Sequence, residues 1–94
     1  MKNKISWKEK YILSLKENLT LKEIKLLRDV NQNVAADIRN KAIHYCISND
    51  IQLYSKAVPT EAVLIVTKKD INYYYNKMIL ESKANIEVSN NVSA

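Results

Sequence analysis

Between positions 32 and 44 the chain gathers side chains that can read nucleobase edges: Gln32, Asn33, Arg39, Asn40, Lys41 and His44. Gln and Asn offer an acceptor and a donor that match adenine, and Arg or Lys matches guanine in the major groove. Asp37 lies among them; it can accept from cytosine but repels phosphate. A second set suits a phosphate backbone: Lys25, Arg28, Lys56, Lys68, Lys69 and Lys77, cations that displace condensed counterions. Lys68 and Lys69 precede a helix start, where a cation opposes the macrodipole, so phosphate contact suits them better than stabilisation. Trp7, Tyr54 and Tyr73 form a third set, of residue types that anchor protein interfaces. Each set has a plainer alternative. A polar helix face can be merely solvated, and Lys56 can be an ordinary loop lysine. The Tyr73-Tyr74-Tyr75 run can pack a core, with only the Tyr73 hydroxyl turned outward.

Catalytic chemistry finds little support. His44 is the one histidine and Cys46 the one cysteine. Two residues apart on a helix, they point to roughly opposite sides, so no nucleophile–base pair forms. A zinc site needs more such ligands than these. The acidic residues are scattered, and a chain without glycine has no Gly-rich phosphate loop. The expectation is a protein that is not an enzyme and uses no metal or cofactor. Cys46 is read as a small core residue, and its lack of a disulfide partner fits a reducing cytoplasm.

These side chains need helices to position them. Ser6 with Glu9 makes a capping box for a first helix over about Ser6–Glu17, with Trp7, Tyr11, Ile12 and Leu15 as its apolar stripe and Asn18 as its stop. Thr20 with Glu23 makes a second box, followed by Leu21, Ile24, Leu27 and Val30, with an end near Asp29–Val30. Asn31-Gln32-Asn33 is a polar break in which Asn33 can cap and Asn31 can turn left-handed. The third helix, Val34–Ser48, should bury Val34, Ile38, Ala42, Tyr45 and Cys46. Ile51–Val58 has extended character, and Pro59 keeps Val58 extended. Thr60 is expected to cap a helix over Thr60–Thr67, although its β-branched run also suits a buried strand. Asp70 caps a last helix to about Lys83 that buries Ile71, Tyr74, Tyr75, Met78 and Ile79. Residues 85–94 read as a disordered tail.

The fold class is therefore mainly α: a compact helix-turn-helix domain of about five helices, with a short two-stranded wing as an option near 51–58. A chain of 94 residues holds one domain, here residues 1–84. It has no glycine, so hairpins with primed turns are disfavoured. The net charge of +5 points to an acidic partner, nucleic acid first. No apolar run reaches the ~20 residues of a membrane span, and the basic N-terminus lacks the apolar core of a signal peptide. Membrane attachment is not expected, and the cytoplasm is the expected compartment.

Three stretches together resemble a known group. They are Leu-Thr-Leu-Lys-Glu-Ile at 19–24, Val-Ala-Ala-Asp-Ile-Arg-Asn-Lys-Ala at 34–42, and Leu-Tyr-Ser-Lys-Ala-Val-Pro-Thr-Glu-Ala-Val-Leu at 53–64. The pattern is similar to small excisionase-like proteins of phages and integrative elements, within the MerR-like winged helix-turn-helix group. The resemblance covers about half the chain. It implies a helix-turn-helix, a short wing around Tyr54–Val58, and duplex DNA binding for recombination directionality or transcription control. The wing stretch has no Gly or Arg, and the flanking helices at Trp7 and at Asp70–Lys83 are extra, with homodimerisation as one use for them. The alternative function is a protein-interaction module, such as a phage-encoded inhibitor or adaptor that contacts a phage or host protein. The helix pair Thr60–Lys83 competes with Thr20–Asp50 for the recognition role.

Overall fold

The computed structural model describes residues 4–53 and 56–93, with side chains to residue 84. Both capping boxes form. The Ser6 hydroxyl accepts from the Glu9 amide at 3.2 Å, and the Glu9 carboxylate accepts from the Ser6 amide at 3.0 Å. They start α1 (Trp7–Ser14), which stops on Leu15, earlier than the expected Glu17. The Thr20 hydroxyl and Glu23 carboxylate repeat the exchange at 3.3 and 2.9 Å and start α2 (Leu21–Arg28). This helix ends on Asp29 in the left-handed region, at φ 53°. Asp tolerates that conformation because its short polar side chain bonds locally.

The next cap falls two residues before the expected one. Asn31, not Asn33, accepts from the Val34 amide at 2.9 Å, and it is extended, with Asp29 taking the left-handed role expected of Asn31. Gln32 and Asn33 thereby become the first residues of α3 (Gln32–Ser48). The helix α4 (Thr60–Thr67) forms where a strand was the rival. Its cap position belongs to Pro59, without a side-chain bond, while Thr60 lies inside the helix with its hydroxyl buried and unpartnered. The expected Thr60 cap fails because the β-strand pairing that precedes it draws Thr60 inward. Asp70 accepts from the Tyr73 amide at 2.9 Å ahead of α5 (Ile71–Ser93). The α5 backbone runs past Lys83 through the segment expected to be a tail; no Gly or Pro stands there to stop it.

A two-stranded antiparallel sheet is present; of the stretch 51–58 expected to hold a wing, Val58 belongs to it, while residues 54 and 55 lie outside the described residues. β1 (Asn18–Leu19) pairs with β2 (Val58–Pro59), Leu19 opposite Val58 and Asn18 opposite Pro59. The Thr60 amide prolongs the ladder to the Glu17 carbonyl at 3.0 Å. Val58, held extended by Pro59, pairs with the stretch between α1 and α2.

The core contains Leu19, Ile24, Leu27, Ala35, Ala42, Cys46, Val58, Ala62, Val63 and Tyr74. α3 packs on α2 and α4 through small residues, Ala35, Ala42 and Cys46, which lets the helices approach closely. α1 packs on α5. There Trp7 meets Tyr73 edge-on at 6.0 Å and Tyr74 at 6.3 Å, and Tyr11 meets Tyr75 at 5.5 Å. The inner face of α1 is Trp7, Lys10, Tyr11 and Ser14, with Ile12 and Leu15 exposed, so the expected stripe is rotated. Lys10 takes a place on that face: its ammonium pairs with Asp29 and lies 4.1 Å from the Trp7 ring centre, so it can be buried. Val34, Ile71 and Tyr75 were also expected inside and are exposed. Val34 follows from the shifted cap, which leaves it on the first turn of α3, ahead of the buried Ala35.

Candidate nucleic-acid interface

α2, the turn at 29–31 and α3 make a helix-turn-helix. Two contacts hold the turn against the rest of the chain. The Lys10 ammonium of α1 pairs with the Asp29 carboxylate, and Arg28 Nη1 donates to the Tyr74 hydroxyl of α5 at 3.1 Å. The bonds end on Arg28, the last residue of α2, and on Asp29, its C-cap, so α1 and α5 fix the point from which α3 departs.

The faces of α3 divide cleanly. Ala35, Ala42 and Cys46 are fully buried. Asn33, Asp37, Asn40 and His44 follow one another by steps of four, three and four residues and are all exposed, with Lys41 beside them. At about 100° per residue these steps draw one stripe, opposite the buried one. Gln32 is exposed at the helix start. Lys41 and Asp37 form an ion pair one turn apart at 3.3 Å, both well exposed. That pairing offsets the charge with which Asp37 would repel phosphate, while leaving the amides of Asn33 and Asn40 open.

Arg39 is half-buried and lies off this stripe. Its Nε and Nη2 donate to the Lys56 carbonyl at 3.2 and 3.0 Å. The expected base readers are thus brought together except for Arg39, which is turned to the segment after the helix. The expected phosphate set is spread over the molecule. Lys56 is exposed beside α3, and Lys25 is half-buried on α2. Arg28 is engaged by Tyr74. Lys68 is exposed on the left-handed residue that ends α4. Lys69 sits 4.7 Å from the Tyr73 ring centre, and Lys77 sits 5.6 and 5.7 Å from those of Tyr73 and Trp7. Of the proposed protein anchors, Trp7 and Tyr73 are half-buried against each other, and Tyr54 lies outside the described residues.

Environment shifts a few titrations. Burial works to raise the Glu23 carboxyl, but the Lys16 ammonium and the Thr20 amide and hydroxyl hold it below its ordinary value. Burial pushes the Cys46 thiol up, and the Glu61 carboxylate adds to that. Burial raises the Tyr74 phenol against the opposing effect of Arg28. Cys46 is fully buried, which suits a packing role rather than a nucleophile.

Lys10 and Asp29 escaped the sequence reading as partners. Their signal was a lysine three residues after a tryptophan, on what became the inner face of its helix. Among the described residues no group of His, Cys, Asp and Glu side chains is placed to hold a metal ion. No helix among them is long and apolar enough to cross a membrane. Comparison with known protein families, curated proteins and solved structures found no match.

Proposed function

We propose that this chain binds duplex DNA sequence-specifically, with the outer face of α3 in the major groove. The observation that carries the reading is the exposed stripe Asn33, Asp37, Asn40 and His44 opposite the buried Ala35, Ala42 and Cys46. A recognition helix needs such a division, one face locked into the domain and the other free to meet base edges. Gln32, Asn33 and Asn40 supply amides for adenine, and Lys41 supplies a donor for guanine or a phosphate. The net charge of +5 favours association with a polyanion. In keeping with the pattern at 19–64, the chain is a phage or mobile-element factor of the excisionase-like kind, or a transcriptional regulator, acting in the cytoplasm.

Selection of bound fragments from random duplexes tests the reading. The wild type should enrich one motif, and Asn40→Ala should weaken binding to it by about 1–3 kcal/mol and relax one base position. Affinity should also fall steeply with salt, with a slope near −0.9 for each phosphate contacted. Failure to enrich any motif, or a flat salt dependence, sinks the proposal. A stoichiometric complex with a phage or host protein and no duplex binding would instead support a protein-interaction module.

A further inference from the structure

Arg39 stands next to Asn40 in sequence, yet its guanidinium does not join the outer face. It spends two of its donors on one acceptor, the Lys56 carbonyl, at 3.2 and 3.0 Å. That contact spans 17 residues and ties the segment after α3 back to the middle of the helix. A guanidinium is suited to this because its donors form a rigid fork, whereas a lysine ammonium is a point charge on a flexible stem. The Lys56 side chain itself is exposed. Among the described residues neither Arg39 nor Lys56 has a carboxylate partner; the ion pairs there engage Lys10, Lys16 and Lys41.

We propose that Arg39 is a positioning residue rather than a base reader: it latches the Lys56 backbone to α3 so that the Lys56 side chain meets a phosphate at the flank of the outer face. The latch belongs to the free protein, and the phosphate contact rests on the DNA reading above. The guanidinium is half-buried and turned away from the exposed stripe toward Lys56, so sequence preference should not depend on it. Lys56, in turn, contributes only while its backbone is held.

The experiment has a DNA-free arm and a DNA-bound arm. In free protein, amide exchange at Lys56 and Ala57 should quicken at least severalfold in both Arg39→Ala and Arg39→Lys, because lysine cannot make the forked contact. Unchanged exchange in both variants overturns the latch. On the duplex selected by the wild type, Lys56→Ala should cost about fivefold in affinity at roughly 0.15 M salt and lower the salt slope by about one. The same substitution placed in Arg39→Ala protein should cost almost nothing more, and Arg39→Ala alone should leave base preference intact. An equal cost of Lys56→Ala in both backgrounds overturns the coupling. A base position relaxed by Arg39→Ala makes Arg39 a reader and overturns the proposal. If the wild type binds no duplex, the DNA reading fails with the phosphate contact, while the exchange arm still reads the latch.

Discussion

Glu23 does two jobs with one carboxylate. It accepts from the Thr20 amide in the capping box and pairs with the Lys16 ammonium just beyond α1. Both interactions favour its ionised form, which is why it titrates below its ordinary value despite partial burial. A carboxyl whose folded pKa is lowered lends stability that is complete above its unfolded pKa. That contribution is lost as pH falls through the lowered folded value. Urea denaturation should therefore show stability declining as the medium is acidified from above about 4.5. Glu23→Gln should lower stability at neutral pH and flatten this part of the profile. A wild-type profile no steeper than that of the variant would show that Glu23 is not the group responsible. The box itself was plain from Thr20 and Glu23 in the sequence, since a cap is a local matter of three residues. The ion pair with Lys16 was not, because it depends on how α1 folds back beside α2.

At the scale of elements, the helix-turn-helix owes its geometry to the flanking helices. The Lys10–Asp29 pair joins α1 to the turn, and Lys10 is nearly buried, at 4% exposed. Removing one partner of a buried pair strands the other charge, which costs about 3–5 kcal/mol in the most buried cases. Asp29 retains some exposure, so Asp29→Asn, which keeps a residue tolerant of positive φ, should cost about 2–3 kcal/mol by chemical denaturation. Lys10→Met should relieve much of that penalty in the double variant, because it removes the stranded cation while keeping the stem over Trp7. Additive losses in the double variant would rule out a direct coupling. Helix positions were largely legible from the capping residues and apolar spacing. Which face turned inward was less so. On α1 hydropathy favoured Ile12 and Leu15, and the side chain that went inside was Lys10, whose burial depends on an anion from another helix. The same limit hid the sheet. Leu19 and Val58 are far apart in the chain, and no local pattern announces that they pair.

For the whole molecule, two assemblies meet at the end of α2. One is α2, α3 and α4 around the small residues of α3; the other is α1 on α5, with Trp7, Tyr73 and Tyr74 between them. The candidate site was legible in part for the same reason. Asn33, Asn40, Lys41 and His44 share a face that helical periodicity alone foretells, and they stand on the first assembly. Lys69 and Lys77 looked like free cations in the sequence, but in three dimensions they lie near aromatic rings of the second. Trp7 has a consequence for anyone watching this protein by light. It is the chain's one tryptophan, and it is flanked by the ammonium groups of Lys10 and Lys77. Its emission therefore reports on the α1–α5 platform and not on α3. A duplex seated on α3 alone should leave the fluorescence nearly unchanged, and anisotropy of labelled DNA should register the binding. A shift in tryptophan emission during the same titration would place phosphate near Lys77, making the platform a second point of contact.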